Sequence, residues 1–176
     1  MTQPTLPGLV VGVERSATLD PTEQYRYQLD RQWGEPSLGV VNFIMLNPST
    51  ADGRDDDRTV RRCIGFARRW GYSGLVITNL FAYRSTDPQA LVSVPDPFGP
   101  DNDLHLANAA LAAERVILAW GHLGWLHDRA AAVIVQLARL GVRCDCFGLT
   151  KFGEPLHPLF LKKVVEPRPF DLRRSD

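Results

Sequence analysis

The chain has 176 residues, of which 44% are hydrophobic and 23% are charged, and its formal net charge at pH 7 is zero. This length fits one domain that can bury a core without disulfides or a structural metal. The charge balance argues against a protein that coats nucleic acid by bulk electrostatic attraction, although it allows a local basic groove. We expect a single domain over residues 1–176, with flexible ends at 1–8 and 168–176.

The composition also argues against membrane, secreted and metal-binding classes. No apolar stretch approaches the length of a membrane span, and the N-terminus lacks the pattern of a secretion signal. The three cysteines, two of them in the Cys144-x-Cys146 pair, form no disulfide framework and have no further partners for a metal cluster. We therefore expect a cytoplasmic protein with no membrane partner, no cofactor and no metal.

The first elements in chain order predict a β-hairpin. Residues 9–13 form an apolar run, and residues 25–29 alternate aromatic and polar side chains. A turn around Asp20-Pro21 separates the two segments. The sequence therefore predicts two antiparallel strands at the N-terminus.

The next segment, Val40 to Leu46, has the length and β-branched content of a buried strand. It stops at Asn47-Pro48, because proline donates no hydrogen bond and disfavours a helical conformation in the residue before it. Asn47 should therefore lie at the carboxyl end of a central strand, the edge where open α/β sheets bind ligands. A plain turn after a strand is the alternative interpretation.

An acidic loop, Asp52 to Asp57, precedes a helix predicted from Arg58 to Trp70. Acidic side chains are favoured at a helix N-terminus, where amides are exposed and the dipole is positive. Apolar residues on one stripe predict a face packed on the core, and arginines occupy the remaining surface. Those arginines could be a solvated face paired with the acidic loop, or they could bind phosphates.

Strands and helices alternate along the rest of the chain. Three further strands are predicted at 75–80, 115–119 and 142–147, with helices at 101–113 and 125–140. This alternation implies right-handed crossovers and a parallel sheet. We expect an α/β fold, a three-layer α/β/α sandwich with a central four-stranded parallel sheet plus the hairpin. Its carboxyl edge would carry Asn47, Asn79, the Trp120-Gly121 turn and His157.

Five separated segments occur in the order typical of a bacterial and phage domain family of unknown function. They are FIMLNPSTAD, RRCIGFARRWGY, NLFAYRSTDP, GPDND and LTKFGEPLHPLFL. The resemblance covers nearly the whole chain from Tyr25 to Leu161. One departure is Asp57-Arg58-Thr59, where the family usually has Asp-Pro-Thr, and it should alter only the helix start. Membership of this family implies no activity.

The order of motifs also resembles, more distantly, the uracil-DNA glycosylase superfamily. Leu46-Asn47-Pro48 is similar to the asparagine–proline motif of the mismatch-specific branch, whose asparagine positions the hydrolytic water. Asn79 falls where the superfamily has an asparagine that reads the pyrimidine edge, and residues 117–121 resemble its apolar strand ending in glycine. His157-Pro158 resembles the final motif, whose histidine faces the charge developing on the base. Leu159 stands where that motif has a phosphate-contacting serine.

This second resemblance implies a hydrolase that cleaves the N-glycosidic bond of a damaged or modified base in DNA. Asn47 and His157 would be catalytic, and Asn79 would pair with uracil or thymine. Tyr83 and Phe160 are assigned to base binding with Asn79. Binding of phosphate or DNA is assigned to Ser49, Thr50, Arg58, Arg61, Arg62, Arg84 and Lys151.

Two other functions are open. Asn47 cannot accept a proton as a carboxylate would, and Asp52 and Asp55 are the nearby carboxylates that could activate water, although a helix cap also explains them. The domain could instead bind nucleic acid or a modified base without cleaving it. It could also be a hydrolase of small nucleotides. The expected partner is thus nucleic acid, DNA before RNA, or a nucleotide.

Overall fold

The computed structural model describes residues 12–49 and 55–173, and a seven-stranded mixed sheet lies at the centre of this described part. The strands are β1 (Glu14–Leu19), β2 (Arg26–Gln32), β3 (Val40–Met45), β4 (Gly74–Asn79), β5 (Arg115–Leu118), β6 (Cys144–Cys146) and β7 (Arg168–Phe170). They lie side by side in the order β1-β2-β4-β3-β5-β6-β7. Strands β4, β3, β5 and β6 are paired in parallel, whereas the β1–β2, β2–β4 and β6–β7 pairs are antiparallel. The predicted α/β class is confirmed.

Helices connect the parallel strands. Within the described ranges they are α1 (Arg58–Arg69), α2 (Ala90–Ser93), α3 (Asn102–Ala112) and α4 (Arg129–Arg139). Short 3₁₀ turns occur at Pro36–Leu38, Leu126–Asp128 and Pro158–Phe160. None of the helices in these ranges is long and apolar enough to cross a membrane.

Strand β3 is buried on both faces, because its successive side chains point to opposite sides of the sheet. Val41, Phe43 and Met45 pack into one apolar cluster with the buried face of α1. Ile44 packs into a second cluster with α3 and α4. The polar Asn42 is accommodated because its amide nitrogen donates to the carbonyl of Val76 and the hydroxyl of Thr78. Helices therefore cover both faces of the central strand.

The start of α1 is fixed by two aspartates with different roles. The Asp57 carboxylate accepts a hydrogen bond from the Val60 amide at 2.8 Å, which makes Asp57 the N-cap. Asp56 instead pairs with the buried Arg31 of β2, with 2.7 Å between carboxylate and guanidinium. The helix thus begins where predicted and is tied to the sheet by the residue that precedes its N-cap.

The sheet is larger than the predicted four-stranded one. The hairpin pairs with it through β2 and β4, and β7 pairs with β6 although it lies in the end expected to be flexible. The first hairpin strand is Glu14–Leu19 rather than 9–13, of which 9–11 lie outside the described residues. Because β1 is an edge strand with mostly exposed side chains, it lacks the apolar run on which the prediction rested.

Helix α4 begins later than predicted. His127 and Asp128 have φ values of +55° and +53°, and this left-handed conformation interrupts a right-handed helix. The residues from Leu126 to Asp128 form a 3₁₀ turn, and the α-helix starts at Arg129. The segment from Trp125 to Asp128 is therefore a compact turn rather than the first turn of the helix.

Asn102 ties the end of β4 to α3. Asp101 precedes this helix but makes no side-chain capping bond. The buried Asn102 amide instead donates to the carbonyls of Asn79 and Leu80, each at 3.0 Å. Arg129 also donates to the Leu80 carbonyl. These bonds fix the strand end from which the Asn79 side chain projects.

Replacing Asn102 with alanine should lower the free energy of unfolding by about 1–3 kcal/mol, because two buried carbonyls lose a donor. Urea unfolding monitored by circular dichroism measures this change. Asn108→Ala, on the exposed side of the same helix, is the matched control and should change stability by less than about 0.5 kcal/mol. Equal effects of the two substitutions would contradict the anchoring role.

Candidate functional site

A cavity of about 560 Å³ opens where the parallel strands end. We call it the Asn47 cavity. Its walls are formed by the last residues of β3 and β4 and by the segments that follow β3, β4 and β5. The 3₁₀ turn after His157 and the start of α1 complete the lining. Its volume is in the range of small-molecule sites. Its polar lining includes Arg26, Asn47, Ser49, Asp57, Asn79, Ser85, Thr86, His122 and His157.

Asn47 is held in one orientation by the chain opposite it. Its amide nitrogen donates to the carbonyl of Ser85 at 2.9 Å and to that of Pro48 at 3.2 Å. Because both bonds use the nitrogen, the amide oxygen remains as the acceptor that this side chain offers to the cavity. The turn after β3 therefore presents a fixed carbonyl oxygen.

Asn79 is the most deeply buried polar side chain of the Asn47 cavity, with only 2% of its surface exposed. It lies on the same face of β4 as Ile77, which also lines the cavity. Within the described part of the chain, its side-chain amide has no hydrogen-bond partner. A buried amide without a partner costs free energy, and the amide of Asn79 has its oxygen and nitrogen available to a ligand in the cavity.

His157 is held as a neutral donor. Its Nδ1 accepts a hydrogen bond from the Leu159 amide at 3.3 Å, so the proton of the neutral ring resides on Nε2. Burial lowers the pKa of His157 below its ordinary value, and the charge of Asp57 only partly opposes this shift. At neutral pH the imidazole therefore offers an N–H to the cavity without carrying a positive charge.

Arg26 and Asp57 are cavity residues that sequence reasoning missed. Burial and the like charge of Arg84 lower the pKa of Arg26 to about 10, so its guanidinium stays charged at neutral pH. The Asp57 carboxylate accepts from the Ser49 hydroxyl at 3.3 Å and acts electrostatically on both Arg26 and His157. The predicted alternative carboxylates fall elsewhere: Asp55 does not line the cavity, and Asp52 lies outside the described residues.

A groove of cations adjoins the Asn47 cavity. We call it the arginine groove. It has a volume of about 650 Å³ and is lined by Arg58, Arg61, Arg62, Gly65, Phe66, Arg69, Leu159 and Lys163. Leu159 lines both depressions, and Arg62 donates to the carbonyl of Pro158. Arg69 pairs with Glu166, but no described acidic side chain pairs with Arg58, Arg61 or Arg62. The groove is therefore a positive surface that leads to the cavity.

The structure brings some of the other predicted site residues to this pair of depressions and places others elsewhere. Phe160 and Ser49 line the Asn47 cavity, whereas Tyr83 lies outside it and packs edge-on against Tyr25. Arg84 donates to the carbonyl of Glu23, and Lys151 lines a different cavity. Thr50 lies outside the described residues. In the described ranges, no group of three or more histidine, cysteine, aspartate or glutamate side chains could hold a metal.

Comparison with known proteins identifies the family. A family model described as "Protein of unknown function (DUF1643)" matches residues 26–159. The chain belongs to this family. The DUF1643 match contains Asn47, Asn79 and His157, and it confirms the membership of a domain family of unknown function that the five motifs indicate. No curated protein and no solved structure matches the chain.

The low pKa of His157 predicts a pH dependence of stability for this DUF1643 protein. As pH falls through about 6.5, the unfolded chain takes up a proton that the folded His157 resists, so the free energy of unfolding should decrease. His157→Gln should remove this component, which urea unfolding between pH 8 and pH 5.5 measures. His122→Gln changes an exposed histidine of the same cavity and should leave the component in place. Parallel pH profiles for the wild type and His157→Gln would show that the assigned shift is wrong.

Proposed function

We propose that this DUF1643 protein binds one extruded nucleobase in the Asn47 cavity and hydrolyses its N-glycosidic bond, as the uracil-DNA glycosylases that it resembles do. The observation that carries the proposal is the buried Asn79 amide, which has no partner among the described residues and borders a cavity large enough for a nucleoside. The expected substrate is a damaged or modified base in DNA.

The chemistry of Asn79 selects a pyrimidine edge. Its amide oxygen can accept from the N3–H of uracil or thymine while its nitrogen donates to O4. Because no described residue fixes this amide, the rotated amide would also pair with the N3 and N4 amino group of cytosine. Asn79 therefore supports recognition of the pyrimidine class, and the rest of the cavity must discriminate among its members.

Asn47 and His157 supply the groups that base release requires. The fixed carbonyl of Asn47 would orient a water molecule toward the sugar carbon. The Nε2–H of the neutral His157 would donate to the base oxygen on which negative charge develops. Neither residue accepts a proton at neutral pH, and the Asp57 carboxylate already caps α1 and accepts from Ser49. Catalysis would thus depend on electrostatic stabilisation of the departing base.

The arginine groove favours a nucleic acid strand over a free nucleotide as the substrate. It continues from the Asn47 cavity through Leu159 and offers several cations along one helix face. Phosphates on either side of an extruded nucleotide would lie along such a surface. Leu159 occupies the position of the phosphate-contacting serine in the resembled motif, so the arginines would take over that contact.

A binding module without catalysis is the second candidate. The cavity provides a recognition edge but no carboxylate that is unengaged and ready to activate water in its described lining. Such a protein would hold an extruded or modified base and leave its N-glycosidic bond intact. Measuring base release separately from affinity distinguishes the two candidates.

The decisive experiment measures base release and equilibrium binding on oligonucleotides that carry uracil, thymine, cytosine or hypoxanthine. Asn47→Ala should abolish release but leave affinity nearly unchanged, because its proposed role is to position water. Asn79→Ala should weaken binding by roughly 5- to 150-fold, because the base edge loses its partner. Asn79→Asp should shift the preference from uracil toward cytosine, whose amino group can donate to the carboxylate.

Asn108→Ala is the control and should leave both measurements unchanged, since Asn108 is an exposed asparagine on α3. Binding without release in the unmutated protein would favour the binding module. The absence of both binding and release would overturn both nucleic-acid functions and leave hydrolysis of small nucleotides.

Reversing the charges of Arg61 and Arg62 together should weaken binding of the same oligonucleotides. The slope of log affinity against log salt should flatten by about one unit for each lost phosphate contact. The matched control reverses Arg139 and Arg143, which are exposed and lie outside the arginine groove. If both double variants had the wild-type salt dependence, Arg61 and Arg62 would be only a solvated helix face.

A further inference from the structure

A second cavity lies on the other side of Trp120. We call it the Trp125 cavity. It has a volume of about 670 Å³ and is formed by the turn from Trp125 to Asp128, the first residues of α4 and the loop from Leu149 to Pro155. Trp120 lines this cavity and the Asn47 cavity, so one indole side chain belongs to the walls of both. None of the functions argued above uses the Trp125 cavity.

Two large aromatic side chains border the Trp125 cavity and remain in solvent. Trp125 is 60% exposed and Phe152 is 74% exposed. Within the described residues, neither Trp125 nor Phe152 packs against another aromatic ring, and the Lys151 ammonium lies 4.8 Å from the centre of the Phe152 ring. Exposed rings next to a cation are the arrangement with which proteins stack unpaired bases and neutralise their phosphates.

The polar group of the Trp125 cavity is a carboxylate. Glu154 is half-buried, and one of its oxygens accepts the indole N–H of Trp120. No described donor occupies the other oxygen, which remains an acceptor for the cavity. The free oxygen, together with the second lone pair of the oxygen that accepts from Trp120, can therefore accept hydrogen bonds from a base, and the N1–H and amino group of guanine are adjacent donors that match a carboxylate.

The geometry of the turn keeps this arrangement fixed. A Cβ at Gly124 would overlap both the Trp120 ring and the Glu154 carboxylate, so these groups pack directly on the backbone there. The left-handed conformations of His127 and Asp128 turn the chain so that Trp125 precedes α4 instead of joining it. Strained backbone of this kind is retained where the surrounding structure determines it, often at functional sites.

We propose that the Trp125 cavity is a second base-binding site, in which Trp125 and Phe152 stack an unpaired nucleobase and Glu154 accepts its N–H groups, with guanine preferred. The inference rests on the proposed function, which determines where the bound base lies in the substrate. The occupant of the Trp125 cavity is an unpaired base close to the one that enters the Asn47 cavity. The substrate class is therefore nucleic acid with at least two unpaired bases, rather than an intact duplex.

The test titrates the full chain separately with dUMP and dGMP at pH 8 and follows the binding by NMR shifts of the indole N–H groups. The pH is chosen because burial raises the pKa of the Glu154 carboxyl, which must be ionised to accept both guanine donors. Trp125→Ala and Phe152→Ala should each weaken dGMP binding by roughly 5- to 150-fold, the effect of losing one stacking partner. Neither should change dUMP binding.

Three further variants separate this site from the Asn47 cavity. Asn79→Ala should weaken dUMP binding and leave dGMP binding unchanged. Glu154→Gln should remove the preference for dGMP over dAMP, because its amide presents a donor where the carboxylate presented an acceptor. Leu104→Ala truncates an apolar side chain on α3 that is as exposed as Trp125, and it should change the binding of neither dUMP nor dGMP.

The outcomes distinguish the two proposals. If dUMP binds and dGMP either fails to bind or binds independently of Trp125 and Phe152, the second site is wrong and the proposed function stands. If dGMP binding depends on Trp125 while dUMP does not bind, the Trp125 cavity stands as a base site and the role proposed for the Asn47 cavity is wrong. If neither nucleotide binds, both are overturned.

Discussion

The parallel pairing of β3 with β4 on one side and β5 on the other determines where every side chain of the candidate site lies. Parallel strands end at the same edge, so the chain leaves the sheet there after Met45, Asn79 and Leu118. The two apolar clusters hold β3 in place because each takes alternate side chains of this strand. A one-residue slip of β3 would exchange its faces and move Asn47 out of register with Asn79. The position of the Asn47 cavity is therefore determined by the register of the sheet rather than by the conformation of any one loop.

The central part of this fold could be predicted from the sequence because burial on two faces leaves a continuous apolar run. The segment before Asn47-Pro48 is such a run, broken only by Asn42, and Pro48 marks its end. Edge strands leave a weaker pattern. Strand β1 is mostly exposed and β7 contains Pro169, so neither has the composition of a buried strand. Likewise, α4 starts later than predicted because His127 and Asp128 adopt a left-handed backbone conformation, and the helix propensities of these residues do not indicate it.

The candidate site could be predicted in part for a related reason. Asn47 follows β3, Asn79 ends β4 and His157 lies in the final motif, and all three line the cavity at one edge of the sheet. Arg26 could not be found in this way, because the alternation around Tyr25 and Tyr27 assigns the intervening residue to solvent, whereas its side chain is buried and lines the Asn47 cavity. Tyr83 was assigned to base binding from its position in a motif, yet it packs against Tyr25. Motif position alone cannot distinguish a side chain that faces the cavity from one that faces a neighbouring strand.

Asp57 has two roles, because it caps α1 and places a negative charge in the Asn47 cavity, and together these roles restrict which residue can replace it. Asparagine would keep the capping bond to the Val60 amide but would remove the negative charge that faces Arg26 and His157. Glutamate would keep the charge, but its longer side chain is a poor N-cap. Serine would cap the helix, although it would lose the charge. Aspartate meets both requirements, so the start of α1 and the negative charge in the Asn47 cavity depend on one side chain.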